Sequence, residues 1–303
     1  MHLLLGVLAV VTAVLAGVRS SWSPCGRSML STLTPLAVRG RGQSYRVTAA
    51  WFVAGSVLGG ACTGVVLGTV AALTRSLSPS VSAAVAAVAA TLVVVSDAQL
   101  GAFVLPFHRR QVNERWLDRF RPWVYGAGFG WQIGTGLATY ITTAGLYLMA
   151  VLAVLSGNPM AAIAAGLAFG TVRGLAVLAG RSITDPAGLV AFHRRFDAFE
   201  SPVRLTMIGW EAVSALAAFA AWSAITATPA IGVLATGLAV LVVAARGAGR
   251  RHRAADPVEP TRTDEPRGVR VADAAETGAR RSANGEDIVS VAVPVTQRPV
   301  LSP

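Results

Sequence analysis

The chain contains no lysine, two cysteines and four histidines, and only 14% of its 303 residues are charged. Cys25 and Cys62 are too few for a disulfide framework or a zinc-type cluster. His2, His108, His193 and His252 fall at an end, in loops or in the tail without metal-ligand spacing, so no metal and no cofactor is expected. No P-loop, catalytic triad or Gly-x-Gly-x-x-Gly turn between a strand and a helix is present. Low charge with 53% hydrophobic residues and a mean hydropathy of +0.57 excludes an ordinary soluble domain. The formal charge of +11 is carried by arginine alone. These arginines lie in short loops between apolar runs and in the tail, where they act as topology determinants and lipid-headgroup contacts rather than as a nucleic-acid footprint.

What is there is a series of apolar runs, several longer than the roughly 20 residues one crossing needs. The expected fold is an all-α polytopic membrane helical bundle of about seven transmembrane helices, at residues 3–38, 47–73, 81–105, 124–155, 159–179, 205–226 and 229–245. The transmembrane domain is 1–246, and 247–303 is a polar, arginine- and proline-rich tail expected to be disordered. Nothing after Ala16 forms a cleavage site, so the first segment is read as retained. The segments around 39–46, 108–121 and 181–204 are basic, whereas the intervening turns carry Arg75 or no basic residue. The positive-inside rule then places the N-terminus outside the cell membrane and the tail in the cytoplasm.

Two segments are oversized. The first is interrupted by Ser23-Pro24-Cys25-Gly26-Arg27-Ser28. There Ser23 is the expected N-cap of a second half-helix and Pro24 its first residue, where a missing N–H costs nothing. Cys25 then sits in the first turn, at the positive end of a helix dipole and near Arg19 and Arg27, an electropositive setting of the kind that activates thiols. The fourth, 124–155, is crowded with Gly126, Gly128, Gly130, Gly134 and Gly136. Each is followed by a helix rich in small residues, as in an inverted repeat whose site lies at the midplane. In the second helix, Gly55, Gly59, Gly60, Gly64 and Gly68 form a face for close packing.

This layout resembles the cytochrome c biogenesis and thiol:disulfide interchange membrane family (CcdA and the membrane domain of DsbD). The residues that carry the resemblance are Ser23-Pro24-Cys25 with Pro35 downstream, and the glycine-rich fourth segment leading to Ser156-Gly157-Asn158. The resemblance implies a thiol:disulfide oxidoreductase that relays electrons, with a thioredoxin-like or haem-handling partner and Cys25 as nucleophile. The fourth segment carries no cysteine; near Gly134 to Gly136 its polar side chains are Thr135 and Thr139. Cys62 is then either the resolving thiol or a small packing residue.

Ionisable residues inside the apolar segments give a rival reading. Asp97 and Arg173 share a depth at which an ion pair is expected, with Glu211 as competitor. With Arg27, they would line the path of a small-solute or ion transporter, or else act as structural salt bridges. A third reading is a non-catalytic membrane scaffold that holds a neighbouring enzyme through its basic loops and tail.

Overall fold

The computed structural model describes residues 1–100, 103, 105, 106, 121–136 and 139–227. Among them the secondary structure is entirely helical, and the molecule is a membrane helical bundle. Five helical stretches are long and apolar enough to cross a membrane: His2–Trp22, Tyr45–Ser76, Pro79–Asp97, Pro159–Gly180 and Pro186–Thr226. The expected seventh helix, 229–245, the tail 247–303 and most of the basic loop at 108–121 lie outside the described residues.

The first segment is broken where the proline and its cap stand. α1 (His2–Arg19) passes through a 3₁₀ turn at Ser20–Trp22 into α2 (Pro24–Thr32), and α3 (Pro35–Gly40) follows. Ser23 is extended at φ −68°, ψ 157°, and its Oγ accepts the Gly26 N–H at 3.1 Å. Thr34 repeats the device for α3, accepting from the Ala37 N–H at 3.1 Å, with Pro35 in the first turn. α4 (Tyr45–Leu73) and α5 (Pro79–Asp97) complete the first half.

The third helix stops at Asp97, short of the expected 105. Gln99 adopts φ +55°, and the Leu100 N–H returns to the Val95 carbonyl at 2.9 Å, closing the helix while the apolar run continues. The fourth segment is likewise two helices, α6 (Pro122–Thr135) and α7 (Gly145–Leu155). Gly136, at φ +70°, ends α6 in a conformation that favours glycine. α8 (Pro159–Leu175) follows, capped by the Asn158 side chain. The expected basic loop at 181–204 is largely helical: α9 (Pro186–Ala198) is started by Asp185, whose side chain accepts the Gly188 N–H at 2.8 Å, and α10 (Glu200–Thr226) begins five residues before the expected 205.

The two halves exchange partners. α4 packs on α8 and α5 on α10; α1 lies on α8 as α6 lies on α4. The helices of the first half therefore interlock with those of the second. Two glycine faces on α4 make it feasible. A Cβ on Gly55 would stand 2.1 Å from the Ala127 carbonyl oxygen on α6, and one on Gly60 would stand 2.3 Å from that of Gly166 on α8. In lipid, such close backbone approach gains van der Waals contact where burial from water cannot drive association. Ser56 Oγ also donates to the Gly170 carbonyl across the α4–α8 seam at 2.8 Å. The outer face of α4, with Leu58, Val65, Val66 and Val70 exposed, meets lipid.

Candidate functional site: a polar chamber beside the first break

The break brings an unusual number of polar groups together at one end of the bundle. Cys25 is 1% exposed in the first turn of α2. Gly26 lies so close to the preceding turn that a Cβ there would be 2.3 Å from the Ser21 carbonyl oxygen, so the residue after the cysteine has no room for a side chain. Arg173 of α8 is 2% exposed; it donates through Nη1 to the Ser20 carbonyl and lies within electrostatic reach of Cys25. The cation that sequence depth paired with Asp97 therefore sits against the break instead. Asp97 is engaged elsewhere, and no Asp97–Arg173 salt bridge forms among the described residues.

Arg27 has the carboxylate partners that a cation in such a segment requires. Its Nη2 is 2.9 Å from Asp197 Oδ1 and 3.1 Å from Glu200 Oε2, and Arg19 reaches Glu200 Oε1 at 3.7 Å. The acceptors come from α9 and the start of α10. α9 lies across the break as a strap: Trp22 stacks on Phe196 with centroids 4.2 Å apart, Trp22 Nε1 donates to the Phe196 carbonyl at 2.9 Å, and Ser31 Oγ and His193 Nε2 are 3.0 Å apart. Below it Met29, Leu30 and Leu33 pack with Phe52, Tyr125 and Val177.

Beside these ion pairs is a cavity of about 460 Å³ lined chiefly by Arg19, Asp97, Thr142, Asp197, Glu200 and Arg204. Asp97 forms part of its floor and caps the half-helix α7. Its Oδ1 accepts the Ala144 N–H at 2.8 Å and its Oδ2 the Thr143 hydroxyl at 2.5 Å. Arg204 Nη2 donates to the Asp97 carbonyl at 3.0 Å. Glu211, fully buried on α10, lies within electrostatic reach of the Asp97 carboxylate.

Of the residues singled out from sequence, the structure thus joins Cys25 with Arg173, Arg27 with carboxylates, and Asp97 with Glu211. It leaves others apart. Cys62 is exposed on α4, six residues or roughly 9 Å of rise past Ser56, whereas Gly174, next to Arg173, packs at the Val53–Ser56 level. Gly134 is a packing residue, since a Cβ there would meet the Ser56 carbonyl oxygen at 2.0 Å. The Thr135 carbonyl accepts from Thr63 Oγ1 at 3.0 Å. Asp197, Glu200, Arg204 and Thr143 were not singled out. The available signal for two of them was that Asp197 and Glu200 are acidic residues inside an otherwise basic stretch.

Comparison with known proteins finds relatives described as methylamine utilization protein MauF. The chain is 34% identical over 159 residues to that of Paracoccus denitrificans, 33% over 180 to that of Methylophilus methylotrophus, and 32% over 160 to that of Methylorubrum extorquens. The matched stretches cover 50, 56 and 52% of this chain and 56, 61 and 56% of those proteins. The chain therefore spans less than two thirds of the length of these relatives, and these matches lend no support to membership of the cytochrome c biogenesis family. No family model matches the chain. No solved structure matches it either.

Proposed function

We propose that this protein is a membrane-embedded accessory factor in methylamine utilization, which holds a partner enzyme of that process at its arginine-rich end and turns over no substrate of its own. The observation that carries this reading is the similarity to MauF over half of the chain. The geometry agrees with it. Arg19, Arg27, Asp197, Glu200 and Arg204 gather at one end of the bundle as a charged platform, the kind of surface that steers and orients a partner. A two-thiol relay needs an attacking and a resolving sulfur in reach of each other, and Cys25 is buried while Cys62 faces outward. In this reading the membrane domain is 1–246, the arginine-rich end faces the cytoplasm with the tail 247–303, and the N-terminus is outside.

A second reading keeps thiol chemistry at Cys25 with a partner supplying the other sulfur. It is favoured by the Ser23-capped half-helix start and by Arg173 within electrostatic reach.

The test is growth on methylamine of a strain deleted for this gene and complemented with wild type, Cys25→Ser, or a form carrying Cys25→Ser and Cys62→Ser. Full restoration by the cysteine-free form supports the accessory reading. Loss with Cys25→Ser alone, at undiminished membrane levels, replaces it with the thiol reading. Normal growth of the deletion strain itself overturns both.

A further inference from the structure

Both carboxyl oxygens of Glu211 are buried with no donor among the described residues. The side chain is fully buried and aimed at the start of α7, where a Cβ on Gly145 would lie 3.1 Å from Glu211 Oε1 and 3.3 Å from Thr143 Oγ1. The same Cβ would stand 2.0 Å from Met207 Cε, so the space beside Glu211 and Thr143 is already filled by a methionine side chain. No donor at this helix start reaches Glu211, and the buried Thr142 hydroxyl is without a partner among the described residues as well. The Ala144 N–H and the Thr143 hydroxyl go to Asp97, and the Gly145 N–H goes to Thr143 Oγ1 at 3.1 Å.

Two carboxylates that meet at Thr143, one with its oxygens satisfied and the other with none, are an arrangement a membrane interior does not tolerate. Like-charged carboxyl groups that share a site resolve the conflict by holding one proton between them. Since each Asp97 oxygen already accepts, the proton belongs on Glu211, whose O–H then donates to Asp97. The other charged groups facing the pair are Arg19 from α1, and Arg204 and Glu200 from α10, with Asp197 of α9 across the cavity. Arg204 spends a donor on the Asp97 backbone carbonyl and Arg19 pairs with Glu200, and neither donates to Glu211, whose oxygens both lack a partner among the described residues.

We propose that Asp97 and Glu211 form a one-proton carboxyl pair, a proton-binding site at the start of the half-helix α7 that opens through the polar chamber at the arginine-rich end. Loading puts one proton on Glu211. Unloading passes that proton to water in the chamber and leaves two adjacent carboxylates, with no electron transferred and no other bond changed. The two states differ in the charge that caps α7, so proton occupancy is linked to how firmly that half-helix is held. This inference stands independently of the accessory role, since it rests on Glu211, Asp97 and Thr143 alone.

The experiment is infrared difference spectroscopy on the full-length protein in liposomes, with ¹³C-labelled glutamate, across a pH titration. The expected result near neutral pH is a protonated-carboxyl stretch that shifts with the glutamate label and fades as pH rises. It persists in Glu200→Gln, disappears entirely in Glu211→Gln, and changes frequency in Asp97→Asn because its acceptor is altered. If Glu211→Gln fails to fold, Glu211→Asp decides, since it keeps a carboxyl at the site while the protonated stretch loses its shift with the glutamate label. Absence of any labelled protonated stretch near neutral pH overturns the proposal. So does its stoichiometric removal by sodium, which would make the pair a metal-cation site.

Discussion

Replacing Gly60 with alanine tests the interlocked seam directly. The new Cβ would stand 2.3 Å from the Gly166 carbonyl oxygen and 2.8 Å from the Gly170 Cα, whereas ordinary van der Waals contact begins near 3.4 Å. Both obstacles are backbone, which has no rotamer to escape into. α4 and α8 must therefore separate by about 1 Å, and a gap of that size forfeits roughly a quarter to a half of each well across the seam. Overpacking of this kind costs about 1–3 kcal/mol. Stretching the Ser56 to Gly170 hydrogen bond adds about 0.6 kcal/mol, the average for polar contacts between membrane helices. The control is Gly209→Ala on α10, where nothing lies within 4 Å of the added methyl; helix propensity alone makes that change neutral or stabilising by up to about 1 kcal/mol. Thermal unfolding in detergent, followed by circular dichroism, should show Gly60→Ala several degrees below wild type and Gly209→Ala at or above it, at about 2–4 °C per kcal/mol. Equal midpoints for the two variants would refute the backbone-contact account of the α4–α8 seam.

Three further outcomes follow from the site. A membrane-permeant maleimide added to folded protein should spare Cys25 until the protein is unfolded, because its thiol is buried; mass spectrometry of the labelled peptides reads this directly. Ser23→Ala removes the side-chain acceptor for the Gly26 N–H and should cost about 1 kcal/mol of stability, together with faster Cys25 labelling as the first turn of α2 frays. Arg27→Ala should cost less than about 1 kcal/mol, an effect that shrinks with added salt, since its ion pairs with Asp197 and Glu200 are between partly exposed side chains. A larger, salt-insensitive loss would mean that Arg27 has a role beyond those pairs.

Local signals in the sequence marked much of this architecture. Ser23-Pro24 announces a helix start inside an apolar run, and the structure puts cap and proline in those roles. The glycine face of the second helix is present and meets α6 and α8 as close packing requires. The end of the third helix was not legible, because hydrophobicity continues past Asp97 and only the backbone of Gln99 turns the chain. α9 was hidden by its arginines, although Asp185-Pro186 is the same kind of cap-and-proline start as Ser23-Pro24. The site was readable only in pieces. Sequence could say that Arg27, Asp97, Arg173 and Glu211 each needed a partner, but not which one. Arg27 finds Glu200 across 173 positions of chain. Arg173 settles on the Ser20 carbonyl in the turn of the break, which also accepts the Ser23 N–H, a partner that no count of carboxylates reveals.

The exchange of helices between the halves has a consequence for how the chain is made. When α5 has left the ribosome, α4 presents two bare glycine faces whose partners, α6 and α8, are still to be synthesised, and α1 likewise awaits α8. The first half is therefore held in the bilayer with its closest contacts unmade until translation has passed Leu175, and then both seams close together. A gene cut in the segment between α5 and α6 should accordingly yield two fragments that are each short-lived when produced alone and that accumulate together when produced in one cell.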